Sequence, residues 1–182
     1  ALYHRRVGIA ESILELRDEL DVFEAAATGE VEQVKTLLDR NRGLVTEYSS
    51  DGWTALHLAA FFGHPQVVAL LLDRGAGIDM LSTSMGNTPL QAATANGQTE
   101  VVRFLIERGA DVTYATAEGE ISALHSAANS GNVEIARMLL EAGADPEAET
   151  TQGKIARDFA SGKHDEILAL LDEYERDEGA ES

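Results

Sequence analysis

No cysteine occurs in the 182 residues. Disulfides, Cys-based zinc sites and thiol catalysis are thereby excluded, and a reducing compartment, the cytoplasm, is the expected setting. Aromatic residues make up 5% of the chain, so the core has to be built from Leu, Val, Ile and Ala, which suits packed helices better than a β-sandwich. No apolar run approaches the ~20 residues that a membrane span needs. The opening stretch, ALYHRRVGIA, has no secretory apolar region, and it begins on Ala1 rather than Met, which points to an upstream segment having been removed. Positive charge is also scarce: 14 Lys and Arg stand against 32 Asp and Glu, for a net charge of −18. Such a surface repels phosphate backbones and argues against nucleic acid and anionic membrane as partners. Basic partners are compatible with it, although solubility is the simpler explanation. The last residues, DEYERDEGAES, hold six acids and one base, and the composition of 173–182 predicts a disordered, solubilising tail.

What the chain has is a repeat. Gly29, Gly63, Gly97 and Gly131 follow one another at intervals of 34 residues. Around them run TALHLAAFFGH (54–64), TPLQAATANGQ (88–98) and SALHSAANSGN (122–132). Each is followed by a second apolar stretch: VVALLLDRGAG (67–77), VVRFLIERGAD (101–111) and IARMLLEAGAD (135–145). Degenerate copies flank them at 20–41 and 155–171. Thr54, Thr88 and Ser122 are predicted N-caps of a short first helix, with Pro89 at a first helical position. Leu56, Ala59 and Ala60 share one helical face, and small Ala residues there let a second helix approach. The second helix, opened by Pro65 in one copy, should bury Val68, Leu71 and Leu72, with Val34, Leu37 and Leu38, then Val102, Leu105 and Ile106, as counterparts. Gly75, Gly109 and Gly143 suit a left-handed position that ends it, and Asn41 takes that place in the first copy. One unit cannot bury its own apolar face, so stacking into an elongated solenoid is required. Ile155 replaces the capping hydroxyl in the last copy, as suits an outer unit, and its helix-to-helix turn near Gly162–His164 is short. Residues 9–20 read as an extra amphipathic helix, so 1–19 form a predicted N-terminal capping region.

TALHLAA, TPLQAAT and SALHSAA, each followed by a helix and then Gly-Ala, resemble ankyrin repeats over roughly residues 20–171. The resemblance implies an all-α solenoid of helix–turn–helix repeats joined by short β-hairpin fingers, with a concave binding face. The expected units are 20–50, 51–85, 86–119, 120–152 and 153–172, about five repeats. The family's period is about 33 residues, so a 34-residue spacing places one extra residue between the helix-ending Gly and the next Thr or Ser, and lengthens two fingers. Gln91 stands where the family has His, and Thr94 where it has Ala. By resemblance, His57 and His125 hydrogen-bond to cap and loop groups.

Comparison among the copies separates fold from function. The positions equivalent to Phe61 and Phe62 are Ala27 and Thr28, Ala95 and Asn96, and Asn129 and Ser130. The architecture therefore has no need of rings there, and the helical wheel puts both on the side away from Leu56, Ala59 and Ala60. In the family that side lines the concave face. Trp53, the only tryptophan, is likewise peculiar to its copy. Tyr, Trp, Phe and Met anchor protein interfaces. The predicted contact patch is Tyr48, Trp53, Phe61, Phe62 and Met85, flanked by Asn87, Asn96, Glu120 and Asn129. The competing reading is that Phe61 seals the gap between repeats and Trp53 packs on its own finger. Metal-ligand, P-loop and nucleophile-elbow motifs do not occur in the sequence, and His164-Asp165-Glu166 lies on a turn where adjacent side chains rarely converge on one ion. The expectation is a non-catalytic, monomeric module that binds a protein and uses no cofactor. The alternatives are a small-molecule or peptide binder using the groove, or a scaffold without a fixed partner.

Overall fold

The computed structural model describes residues 20–117, 119–160 and 164–178. They form five helix pairs: α1 (Val22–Thr28) with α2 (Val31–Arg40), α3 (Ala55–Phe62) with α4 (Pro65–Asp73), α5 (Pro89–Ala95) with α6 (Thr99–Glu107), α7 (Ala123–Ser130) with α8 (Val133–Glu141), and α9 (Ala156–Ala160) with α10 (Asp165–Glu178). First helices stack on first helices and second on second, so the chain builds two layers one pair at a time. Ala25, Ala26, Ala59, Ala60, Ala93, Ala127, Ala128 and Ala160 are fully buried in the first layer. Their small side chains are what let the layers close. Val34, Leu38, Val68, Leu71, Val102, Leu105, Leu139 and Ile167 fill the second layer, while Leu37, Leu72 and Ile106, expected beside them, are half-buried. Among the described residues, the ion pairs that span neighbouring units lie on the second layer: Arg74 with Asp39, Arg108 with Asp73, Arg103 with Glu134 and Arg137 with Glu173.

The caps explain the local stops and starts. The Thr54, Thr88 and Ser122 side chains accept from the backbone N–H of the residue three further on, and that residue's side chain accepts from the cap's own N–H. Each reciprocal pair satisfies two donors that a helix start leaves open. Ile155 has no hydroxyl, and its N–H donates instead to Asp158 Oδ2 at 3.1 Å. Two expectations need correction. Asn41 is not left-handed but extended (φ −143°), and its side chain accepts from the Gly43 N–H. Asn41 closes α2 through its N–H to Leu37 O and at the same time opens the 3-10 turn Arg42–Val45, so it joins two elements without the left-handed conformation. The tail expected to be disordered from residue 173 is helical as far as Glu178. Ile167, Leu170, Leu171 and Tyr174 recur at helical spacing against the core, and Glu and Arg are strong helix formers that continue what those anchors begin. The capping region 1–19 and most of the turn 161–164 lie outside the described residues.

The fingers are slighter than full hairpins. Single bridges join Tyr48 to Thr54 and Ala115 to Ser122. The extra residue of the 34-residue period sits in the turn. Ser82 N–H donates to Asn87 O and Thr116 N–H to Ile121 O, across four-residue turns, whereas Ser49 N–H to Trp53 O and Thr150 N–H to Lys154 O enclose three. In all four, the residue before the return has positive φ. Three are Gly52, Gly86 and Gly153, and the fourth is Glu120 at φ 55°.

Candidate functional site

Trp53 leaves the first finger just before the Thr54 cap and lies along α3. Its ring meets Phe61 edge-on at 5.4 Å, and Phe61 meets Phe62 edge-on at 5.1 Å. Three rings from positions 53, 61 and 62 therefore form one continuous ladder on the length of a helix two turns long. Edge-to-face contact of this kind places the positive rim of one ring on the negative face of the next. The ladder is graded in exposure: Trp53 and Phe61 are half-buried, and Phe62 is 48% exposed. Trp53 also packs tilted against His57 at 5.8 Å. The inner rings thus serve both packing and surface, while Phe62 contributes little to packing.

The next finger closes on this ladder. Thr83 N–H donates to Gly52 O at 2.8 Å, and the Tyr48 hydroxyl donates to Leu81 O at 3.0 Å. The turn 82–86 is therefore held beside Trp53, and Met85 stands on it 55% exposed. Asn87 closes the same turn, its carbonyl accepting from Ser82 N–H and from His57 Nε2 at 2.9 Å. Asn96 Nδ2 donates to Phe61 O at 2.8 Å, which fixes it at the far end of the ladder. Glu120 and Asn129 belong to the fourth pair, two units along from the rings; both are exposed, and the Asn129 carbonyl accepts from His164 Nε2 at 3.2 Å. Seven of the nine expected residues thus gather around α3 and α5, and two stand apart on the same side.

The histidines do structural work. His57 Nδ1 accepts from the Thr54 N–H, and the Thr54 hydroxyl lies 2.8 Å from it. That leaves the proton on Nε2, which donates to Asn87 O. His125 repeats the arrangement with Ser122 and Lys154 O. Gln91 reproduces it without an imidazole: its Oε1 accepts from Thr88 N–H, and its Nε2 donates to Ile121 O and Tyr114 O. Burial pushes both histidines below the ordinary imidazole value, against the raising effect of their carbonyl partners. The unfolded chain takes up protons near the ordinary value of about 6.5, where the folded chain does not. This contribution to stability is therefore complete above about pH 6.5 and is lost as pH falls toward the depressed folded values. His57→Gln, copying Gln91, should make the fall in urea midpoint between about pH 7.5 and 5.5 shallower than in the parent chain. An unchanged slope would mean that His57 does not carry it.

Three features escaped the sequence reading. Asp21 and Glu24 form a further capping box at the start of α1, legible as D-x-x-E. The residue just before a second helix reaches back to the preceding unit in three of the copies: His64 Nε2 to Ala27 O, Gln98 Nε2 to Phe61 O, His164 Nε2 to Asn129 O. A groove of about 540 Å³ runs past Phe23, Tyr48 and Leu58, with Asp21, Glu24 and Asp51 beside them. Thr94, in the family's Ala position, has a buried hydroxyl with no hydrogen-bond partner among the described residues. Among these residues no group of three His, Asp or Glu is placed to hold a metal ion, and no helix is long and apolar enough to cross a membrane.

No curated protein matches the chain. The family model described as ankyrin repeats (3 copies) matches residues 22–116 and again 82–150, a span that holds the first four of the five stacked pairs. The chain belongs to the ankyrin-repeat family, whose repeats generally serve as protein–protein interaction modules.

Proposed function

We propose that this is a non-catalytic recognition module, working as a monomer in the cytoplasm, whose contact patch is the Trp53–Phe61–Phe62 ladder with Tyr48 and Met85. Asn87, Asn96, Glu120 and Asn129 supply polar contacts at its edge. One observation carries the reading: Phe62 and Met85 are large apolar side chains left 48% and 55% exposed beside packed rings, at positions where the other copies do without them. Exposed anchors next to a rigid support match the anatomy of interface hot spots. The mechanism is rigid display, since the stacked pairs fix the fingers and first helices before any partner arrives, and little ordering cost remains. The family's general role and the absence of cysteine support the setting.

The structure also sharpens the test. Trp53 packs on His57, so replacing it would disturb the fold. Phe62→Ala with Met85→Ala should leave the unfolding free energy within about 0.5 kcal/mol of the parent. The same variant should lose at least about 2 kcal/mol of affinity, roughly 30-fold, for a protein captured from the native cell by the parent chain. Equal recovery of that protein by parent and variant would move the site elsewhere.

A further inference from the structure

In the first four pairs the charge is divided between the two layers. The second helices and their closing residues, 31–42, 65–74, 99–108 and 133–142, hold seven acids and seven bases. In the first four pairs and the finger that follows, the fingers and first helices (20–30, 43–64, 75–98, 109–132 and 143–153) hold twelve acids and no Lys or Arg; the first bases on this layer are Lys154 and Arg157, at the fifth pair. All eleven of those acids among the described residues are exposed. Solubility does not require this division, because acids spread over both layers would solubilise as well. The aromatic ladder lies in the second pair, on the part of this layer that has no bases. The groove beside it has the same character, with Asp21, Glu24 and Asp51 next to Phe23, Tyr48 and Leu58. Glu120 adds a second sign. It holds a left-handed backbone (φ 55°) where three sister turns use Gly, a conformation costing an L-residue about 1–2 kcal/mol, and it presents a carboxylate at a finger turn.

We infer that the partner segment is basic and carries apolar side chains: Lys or Arg against the finger carboxylates, and apolar groups on the Phe62 and Met85 anchors. This rests on the ladder being the contact patch. Carboxylates on one layer steer such a segment to the correct side, and the rings hold it. Cationic side chains can also lie over the exposed ring faces.

The test uses the full chain and three peptides of equal length: alternating Lys and Leu, alternating Glu and Leu, and oligolysine. Binding is followed by polarisation of a labelled peptide and by the emission of Trp53, the only tryptophan. The Lys/Leu peptide should bind, shift Trp53 emission and weaken with salt; the Glu/Leu peptide should not bind. Asp51→Lys with Glu120→Lys should weaken the Lys/Leu peptide about tenfold. Glu107→Lys with Glu141→Lys changes net charge equally on the other layer and should leave it unchanged. Glu120→Gly, which relieves the positive φ and cannot act by unfolding, should also weaken it. Equal weakening by both reversal pairs would reduce the effect to bulk charge and overturn the inference. Glu/Leu binding as tight as Lys/Leu, with both lost in Phe62→Ala, would overturn the basic partner and leave the patch standing. Lys/Leu binding that neither moves Trp53 emission nor responds to Phe62→Ala would overturn both.

Discussion

Leu105→Ala should lower unfolding free energy by about 2–5 kcal/mol, and it should also split the unfolding transition. Leu105 is fully buried in α6, in the middle pair of five. Truncation removes its apolar contacts and leaves a cavity, and the cost grows with whatever volume the neighbours fail to reclaim. Here they have little freedom to move in, because α4 and α8 are held to the units beyond by the Arg74–Asp39 and Arg137–Glu173 ion pairs and by stacked helices. In a stack whose units contact their neighbours, stability is close to a sum of unit and junction contributions. Weakening the middle therefore uncouples the two ends. Trp53 reports the second pair alone, whereas helical circular dichroism reports all five. In the parent chain the two urea midpoints should coincide; in Leu105→Ala they should separate. Coincident midpoints in the variant would show that cooperativity does not pass through the central pair. The half-buried Leu72, replaced in the same way, should cost less.

Gly52→Ala should cost about 2–4 kcal/mol, against about 1 kcal/mol for Gly75→Ala. Both glycines have positive φ, 79° and 92°, so both alanines incur the left-handed penalty. The difference lies in what a Cβ would meet. At Gly75 nothing lies within 4 Å, while at Gly52 it would clash with Thr83 Oγ1 and stand 2.9 Å from the Ser84 backbone nitrogen. A hydroxyl can turn aside, but the Ser84 backbone cannot move without carrying the whole 82–86 turn with it. That turn is bonded to Gly52, the residue before Trp53, so Gly52→Ala should also alter Trp53 emission in the native state, and Gly75→Ala should not. Equal destabilisation by the two substitutions would mean that the fingers are not packed as closely as the contact implies.

Much of this was legible in the 34-residue period. The spaced glycines, the Thr and Ser caps and the buried Ala and Leu positions define the pairs, because each answers a local requirement that recurs in every copy. The ring positions were legible by subtraction, since Ala27, Ala95 and Asn129 fill the Phe61 slot in the other units. Other features depend on relations that a linear reading does not display. Asn41 ends a helix and opens a turn at once, and the backbone of the next four residues, not its own letter, sets its extended conformation. Charged residues after Leu171 look disordered by composition until Tyr174 is seen to extend a packed face. The division of charge was present in the letters throughout, but it emerges only when segments are sorted by layer instead of by position.

Each junction between the second and third pairs, and again between the fourth and fifth, is held from both sides. His57 and His125 reach forward to Asn87 O and Lys154 O, and Gln98 and His164 reach back to Phe61 O and Asn129 O. Donor and acceptor are exchanged between adjacent units, so neither unit needs to know its distance from either terminus. Such a chain can grow or shrink by duplication or deletion of whole units, each new copy bringing one clasp and accepting another, whereas a change of length inside a unit would break the clasps on both of its sides. The period is in this sense the smallest heritable step by which the molecule can change its reach.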